Sequence, residues 1–402
     1  MMIENICLVI VSGGSEIVSL AIAEAAEKSK IKYAVISTTP NSLFEKHPGC
    51  FYFKNISPYL NCWSQLSDKF IGELDTIKLK TSAKIVIFPS EDGSLRLLNE
   101  LKDEILKRAT FSRARSLKLG GVDKAEVIEH LEGLNLSSRE HDAQVINSPG
   151  DAIAALDAFG SDAIFKPALK PLNMDLSGLG RGGIKVVTQS SNDETNDSII
   201  KRLEKVWKLS ERWIVQPRLK AGPGMEKSVC LASGRHTRAC QVTEQLKYPQ
   251  MGGTALWVKT DKLTNLVPQA TAIAQALDCV GICEVSFLPD TDDKYRLVEL
   301  NPRPWLQVGL IEFSGFNIIE SSIYALLNID KPANEFQVDI KSWVHIERII
   351  ISLITGGISI DNATSILKET ISRDTIVAGY STALPKMKSR LLGRNVRKIV
   401  GR

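Results

Sequence analysis

Two acidic residues, Glu284 and Glu299, are the side chains in this sequence that are best placed to do chemistry. They lie in two strand-like segments separated by a polar four-residue turn, residues 281–289 and 294–301. If the last residue of the first segment pairs with the first residue of the second, Glu284 lies directly opposite Glu299. Asn301 follows two positions later and shares that face. Two carboxylates and an amide oxygen at one spot favour a bound cation, and oxygen ligands suit Mg²⁺ or Mn²⁺. The alternative is an exposed hairpin face whose charges are hydrated.

The bulk composition is that of an ordinary globular protein. The chain has 402 residues, of which 44% are hydrophobic and 24% are charged. This length predicts two to four domains or subdomains. The seven cysteines are scattered without paired Cys-x-x-Cys motifs, so neither a zinc site nor a disulfide framework is predicted. A signal-like start and an apolar run of about 18 residues are both absent from the sequence, which predicts a cytoplasmic protein.

Charge is unevenly distributed along the chain. Seven cations follow residue 385, and they are Lys386, Lys388, Arg390, Arg394, Arg397, Lys398 and Arg402. Because the whole chain carries +4, the rest carries about −3, which argues against a nucleic-acid partner. Apolar residues recur at helical spacing in the same tail, a pattern that fits an anionic membrane surface or a polyanionic glycan. The alternatives are a helix packed on the protein's own acidic surface, and a disordered end.

The elements that must position these residues follow from the hydrophobic pattern. The pattern predicts a parallel β–α–β domain ending near residue 110, with strands 5–12, 33–37 and 83–89 and a helix over 94–108. Gly13-Gly14 lacks the full dinucleotide-binding pattern, so we interpret it as a tight turn without a ligand.

The rest of the chain is predicted to be mixed. Residues 113–160 read as mostly helical, and the pattern from 312 onward is helical again. Between them lie a glycine-rich hairpin, a helix containing Trp207, and further strands, predicted at residues 163–167, 184–188, 212–216, 226–232 and 236–243.

Six short motifs follow one another along residues 111–330. In chain order they are Asp123-Lys124, Phe165-Lys166-Pro167, Ser177-Gly-Leu-Gly-Arg-Gly-Gly183, Ile214-Val-Gln-Pro-Arg-Leu219, Met225-Glu-Lys-Ser-Val229, and Glu284 with Val298-Glu-Leu-Asn-Pro-Arg303. In this order and spacing they resemble the ATP-grasp superfamily of carboxylate–amine ligases. The segment from Val298 to Asp330 looks most like members from surface-polysaccharide and natural-product gene clusters.

The resemblance implies an α/β (α+β) architecture with the ATP-grasp fold. Its expected parts are an N-terminal parallel α/β domain, linker helices with a small lid subdomain that carries the Gly-rich hairpin, a larger antiparallel-sheet subdomain with the metal site, and a helical C-terminal region with the basic tail. The corresponding residues are 1–112, 113–218, 219–330 and 331–402. Similar enzymes are often dimers, so a homodimer is also expected.

The resemblance also assigns residues to ATP. Lys124 and Lys166 match nucleotide-contacting lysines, although either lysine on its own reads as a hydrated surface residue. The hinge residues Gln216, Pro217 and Leu219 match the backbone beside adenine, and Glu226 matches the acid that accepts the ribose hydroxyls. The loop residues that would close over the phosphates are Ser177, Gly178, Gly180, Arg181, Gly182 and Gly183. The alternatives are a flexible hairpin tip for the loop and a surface charge for Glu226.

Two arginines are candidates for contact with the reacting groups. Arg303 matches an arginine beside the substrate carboxylate, and Arg238 is a second cationic candidate. Ile282 stands where one branch of the superfamily has an arginine, which argues against a close D-alanine–D-alanine ligase relative. The activity implied is ATP-dependent joining of a small carboxylate, such as an amino acid or sugar acid, to an amine. Bicarbonate-activating chemistry and non-catalytic nucleotide binding are the alternatives.

Overall fold

A five-stranded parallel sheet forms the first part of the chain. In this computed structural model the described residues are 5–14, 16–134, 143–159, 163–169, 186–187, 196–219, 224–248, 254–262, 264–290, 294–330, 341–354, 356–370 and 374–378. The sheet order is β3-β2-β1-β4-β5, with β1 (Ile6–Ser12), β2 (Lys32–Ser37), β3 (Cys50–Asn55), β4 (Lys84–Pro89) and β5 (Ala109–Phe111). β1 is buried along its whole length, as expected for an apolar central strand covered on both faces.

Four helices and two short 3₁₀ helices connect these strands. The helices are α1 (Glu16–Lys28), α2 (Trp63–Thr81), α3 (Asp92–Glu100) and α4 (Lys102–Leu106), and the 3₁₀ helices are Leu43–Lys46 and Ser57–Tyr59. The single helix predicted over 94–108 is wrong, because Leu101 leaves the helical conformation (φ −102°, ψ 15°) and separates α3 from α4. The predicted turn at Gly13-Gly14 lies where the strand order reverses between β1 and β4. Ser90 Oγ accepts from Gly13 N at 2.9 Å, and Glu91 Oε2 accepts from Gly14 N at 2.9 Å.

A second, four-stranded antiparallel sheet follows. Its order is β7-β10-β8-β9, with β7 (Gln144–Ile146), β8 (Ala163–Pro167), β9 (Val186–Val187) and β10 (Trp213–Pro217). Helices α6 (Asp151–Phe159) and α7 (Asn196–Trp207) contribute to its apolar core around Phe165. We call this unit the lid sheet. The helical prediction for 113–160 is only partly right, since α5 (Lys124–Gly133) and α6 alternate with strands β6 (Arg113–Ala114) and β7.

The third sheet has eight strands and is the largest. Its order is β15-β14-β11-β12-β13-β16-β17, with β6 paired to β14, and its strands are β11 (Lys227–Ser233), β12 (Arg238–Tyr248), β13 (Thr254–Asp261), β14 (Cys279–Pro289), β15 (Tyr295–Asn301), β16 (Ser342–His345) and β17 (Thr375–Ala378). Pairing is antiparallel except between β16 and β17. The prediction of a purely helical region after residue 312 is therefore wrong, because two strands extend this sheet.

Helices cover both faces of the large sheet. One face packs with α8 (Leu266–Ala276), and the other packs against α1, α9 (Val308–Phe313) and α10 (Ile318–Leu326). Two further helices, α11 (Ile346–Ile354) and α12 (Ile360–Thr370), follow β16. In the described part of the chain, none of these helices has the length and apolar character needed to cross a membrane.

The link between the first sheet and the large sheet is short and tight. Cys279 on β14 pairs with Ala114 on β6, and Ser112 Oγ accepts from Ile282 N at 3.1 Å. Gly281 has a positive φ of 86°, and a Cβ there would come within 2.3 Å of Ser112 Oγ. Glycine is therefore required for the linker to lie against β14. The predicted loop 177–183 and the basic tail lie outside the described residues.

Candidate active site

The acidic hairpin is real, but its predicted register is wrong. Glu284 pairs with Asn301, and Ser286 pairs with Glu299. The difference has two causes. β15 begins one residue later than predicted, because Pro289 pairs with Tyr295. The register then shifts by one more residue between the Phe287 and Ser286 pairs, which leaves Val298 as a β-bulge. One shift alone would move Glu299 to the opposite face, whereas two shifts restore it. Glu284, Glu299 and Asn301 therefore share one face, as predicted, without Glu284 and Glu299 standing opposite each other.

Glu284 is the most buried of these acids, with 6% of its surface exposed. Burial raises the pKa of its carboxyl group to about 7, although nearby Arg303 and a hydrogen bond from Asn301 act in the opposite direction. Asn301 Nδ2 donates to Glu284 Oε2 at 3.3 Å. For Asn301 to bind a cation, its amide oxygen would have to turn toward that cation. Burial disfavours the ionised form of this carboxylate, and a bound cation would stabilise that form.

Arg303 joins the acidic hairpin to the first sheet. Its Nε donates to Oδ1 of Asp92, the first residue of α3, at 2.6 Å. Its Nη2 donates to Asn301 Oδ1 at 3.4 Å. The guanidinium therefore sits at the junction of two sheets, with one edge held by Asp92. Sequence reasoning identified Arg303 but gave no sign of Asp92 as its partner.

Lys124 lies opposite the acidic hairpin, at the first position of α5. Asp123 caps this helix by accepting from Ala125 N at 2.9 Å, and Arg212 Nη2 donates to the second carboxylate oxygen of Asp123 at 2.9 Å. The helix start is thus fixed. Lys124 Nζ forms an ion pair with Glu299 Oε1. The two motifs predicted to serve phosphate and metal are therefore in direct contact.

Lys166 approaches from the lid sheet. It is buried on β8, and its Nζ donates to Gln216 Oε1 at 2.7 Å. Gln216 Nε2 in turn donates to the carbonyl oxygen of the bulge residue Val298 at 3.4 Å. β7 pairs only with residues 213–215 of β10, so from Gln216 onward β10 extends beyond β7, while its other edge stays paired with β8 through Pro217. The predicted adenine hinge, including Pro217 and Leu219, lies at this point.

Two residues that sequence reasoning missed complete this face. Lys247 Nζ donates to Glu226 Oε2 at 2.6 Å and lies 3.7 Å from Glu244 Oε1. Burial, reinforced by the neighbouring Glu226, raises the pKa of Glu244 to about 8. Residues three apart in a regular strand face opposite sides, but β12 has register shifts on either side of Leu246. The sequence offered no signal of these shifts.

Arg238 is placed elsewhere. It lines a small cavity at the carboxyl end of α10, together with His236, Tyr324, Asn328 and Asp330, and the lining of this cavity includes none of the predicted metal ligands. The suggestion that Arg238 acts beside Arg303 gains no support from this position. Arg238 pairs with Ala232, which pairs in turn with Ile282, so Arg238 shares a sheet face with Glu284 but lies two residues further along the strands.

The donor set fits a hard divalent cation. Glu284, Glu299 and Asn301 offer only oxygen ligands, the preference of Mg²⁺. Among the described residues, no three His, Cys, Asp or Glu side chains already converge as a metal cluster. Glu299 is instead turned toward Lys124, so a cation would have to draw it away.

Comparison with known proteins gives a clear result for the fold. No family model and no curated protein sequence matches the chain. An N5-carboxyaminoimidazole ribonucleotide synthetase, solved as its ADP complex, superposes with a TM-score of 0.60 at 15% identity over 88% of this chain and 86% of its own. Biotin carboxylase from Campylobacter jejuni superposes with a TM-score of 0.59 at 14% identity, covering 82% of this chain and 72% of its own.

An L-amino acid ligase from Bacillus licheniformis is equally similar. Its TM-score is 0.59 at 13% identity, and the match covers 84% of this chain and 78% of the ligase. The mixed architecture, with one parallel sheet followed by two antiparallel sheets, is shared with these ATP-grasp enzymes. This chain therefore has the ATP-grasp fold.

Proposed function

We propose that this chain is an ATP-dependent ligase that joins a carboxylate to an amine through an acyl phosphate. The observation that carries the proposal is the meeting of the lid sheet and the large sheet at Val298. There Lys166 reaches the acidic strand through Gln216, and Lys124 contacts Glu299 directly. Lys124, Gln216 and Glu299 line one small cavity at this meeting point, which brings a cation suited to phosphate beside an acid suited to a metal.

ATP would lie between the two sheets. Lys124 and Lys166 would contact the phosphates, the hinge from Gln216 to Leu219 would border adenine, and Glu226 would accept the ribose hydroxyls. The glycine-rich loop, residues 177–183, keeps its predicted role over the phosphates. Glu284, Glu299 and Asn301 would hold Mg²⁺, which when bound neutralises charge on the phosphate oxygens.

The chemistry proceeds in two steps. A carboxylate oxygen attacks the γ-phosphorus, the bond from that phosphorus to the bridging oxygen breaks, and ADP leaves. The amine then attacks the acyl carbon, loses a proton, and expels phosphate. Arg303, which is held by Asp92, would orient the carboxylate and stabilise the charge that develops as the phosphoryl group transfers.

Bicarbonate is a second candidate for the carboxylate. Two of the similar structures are a carboxylase and a carboxyaminoimidazole synthetase, and a biotin carboxylase domain from Hydrogenobacter thermophilus was solved with MgADP and bicarbonate. A nucleotide-binding regulator without ligase activity is the third reading. The cytoplasmic location, a homodimer, and membrane or glycan contact through the basic tail stay as expectations from the sequence.

ADP release separates these three readings. MgATP is incubated with a panel of amino acids, sugar acids and bicarbonate, each with and without an amine, and ADP is measured by a coupled assay. Carboxylate-dependent ADP release supports a ligase, release with bicarbonate alone supports the carboxylase reading, and nucleotide binding without release supports a regulator.

Glu299→Gln tests the metal assignment in the same assay. We expect at least a hundredfold loss of ADP release, because one charged ligand of the phosphate-bound cation is gone. Glu129→Gln is the matched control, since this glutamate is on α5 but pairs with Arg212 at 2.9 Å. Turnover of Glu299→Gln equal to that of the control would remove Glu299 from the metal site.

A further inference from the structure

One ion pair joins two residues that the proposed function gives to different ligands. Lys124 would serve a phosphate and Glu299 would serve the metal, yet in this structure each neutralises the other. Both side chains are largely shielded, with 16% and 26% of their surfaces exposed. The capped start of α5 fixes Lys124, and the bulge at Val298 fixes Glu299. The two backbones therefore hold these side chains within reach of each other.

We propose that the Lys124–Glu299 pair couples metal binding to nucleotide binding by exchange of partners. A cation that takes Glu299 releases Lys124 for phosphate, and a phosphate that takes Lys124 releases Glu299 for the cation. Whichever ligand arrives first breaks the pair, and the second ligand meets no such cost. Coupling of this kind is reciprocal. The inference rests on the proposed function and adds a coupling between the two ligands that the fold alone does not dictate.

The proposal and a simple metal-ligand role predict different affinities of Glu299→Gln for metal-free nucleotide. If Glu299 only binds metal, Glu299→Gln leaves the affinity for metal-free nucleotide unchanged. If Glu299 competes for Lys124, the same variant binds metal-free nucleotide more tightly. The expected gain is about three- to fivefold, the range that a partly exposed ion pair supports.

A general change in charge would also favour an anion, so the gain must be traced to Lys124. The experiment measures the Kd of ADP in EDTA by calorimetry for the wild type, Glu299→Gln, Lys124→Met and the double variant. The gain from Glu299→Gln should vanish in the Lys124→Met background. Glu129→Gln is the control for loss of a negative charge, because Glu129 on α5 pairs with Arg212 and not with Lys124.

The reverse arm uses Mn²⁺ alone, followed by electron paramagnetic resonance. Lys124→Met should bind Mn²⁺ about three- to fivefold more tightly than the wild type, because Glu299 is already released. This arm does not depend on the folding of Glu299→Gln.

The outcomes separate the two proposals. Tighter ADP binding by Glu299→Gln that needs Lys124, with tighter Mn²⁺ binding by Lys124→Met, supports partner exchange. Unchanged ADP affinity, or a gain that persists without Lys124, overturns partner exchange alone if the wild type still binds MgADP. A wild-type chain that binds no nucleotide with or without Mg²⁺ overturns the proposed function and the exchange together.

Discussion

The parallel sheet and the large sheet differ in where their strand pairing is interrupted by register shifts. Three of the four pairings in the parallel sheet run without a shift, and the fourth shifts once, between Tyr33 and Ala34. In the large sheet the shifts fall in β12 and at Val298, and both lie beside ionisable side chains of the candidate site. Irregular pairing in the large sheet therefore aims charged groups inward, as β-bulges near active sites commonly do.

A second difference concerns what each sheet buries. The strands of the parallel sheet bury apolar side chains on both faces, whereas one face of the large sheet carries Glu284 and Glu244 among the cations of the site. We infer that substitutions in the first sheet act on stability, and that substitutions on the charged face act mainly on catalysis and on the pH dependence of stability.

The largest expected effect tests the catalytic side of this contrast. Arg303→Met should lower kcat/KM for ADP release by about a hundredfold to a thousandfold, because a charge aimed at the transferring phosphoryl group is lost. Steady-state kinetics measures the change. Arg115→Met is the control, since this half-exposed arginine pairs with Asp278 away from the site. Equal kinetics of the two variants would show that Arg303 is only structural.

The next effect tests the stability side. Ile87→Ala should lower the free energy of unfolding by about 2–5 kcal/mol, because it leaves a cavity at a fully buried position of β4. Urea unfolding measures the loss. Leu79→Ala, at a position 84% exposed on α2, should change stability by about 0.5 kcal/mol or less. Similar losses in both variants would contradict the assignment of β4 to the core.

The smallest effect sharpens the contrast through pH. With its pKa raised to about 7, Glu284 keeps its proton in the folded protein after the unfolded chain has lost it near the ordinary value of 4.5. Stability without metal should therefore fall by up to roughly 3 kcal/mol as the pH rises from about 4.5 through 7. Glu284→Gln should lose this component of the pH dependence, as measured by urea unfolding in EDTA. Parallel pH curves for the two proteins would count against the burial of this acid.

Much of the architecture was accessible from the sequence, because apolar periodicity and turn residues act locally. The predicted strand 163–167 coincides with β8, and the predicted helix containing Trp207 is α7. The pattern did not reveal β16 and β17. These strands are short and lie beside amphipathic helices, and their place in the large sheet depends on distant pairing.

The sequence predicted which residues form the candidate site better than it predicted how those residues pair in space. A carboxylate and an amide two residues apart identify one face of a strand, so the grouping of Glu299 with Asn301 followed from period-two geometry. Glu284 joins them because two changes of register cancel. Their pairing did not follow from that geometry, because it includes a bulge at Val298, a residue whose carbonyl accepts from Gln216 outside the hairpin. Lys247 was missed for the same reason, since its side-chain direction depends on an irregularity in β12.

The pairing of β6 with β14 has a consequence for how the chain is made. The first sheet is complete once β5 has been synthesised, so it has all its strands early. Ala114, by contrast, must wait for Cys279 before its partner strand exists. At about 5–20 residues per second on a ribosome, that delay is roughly ten to thirty seconds. During this interval the nascent chain contains every strand of the first sheet, followed by a strand whose partner has not yet been made.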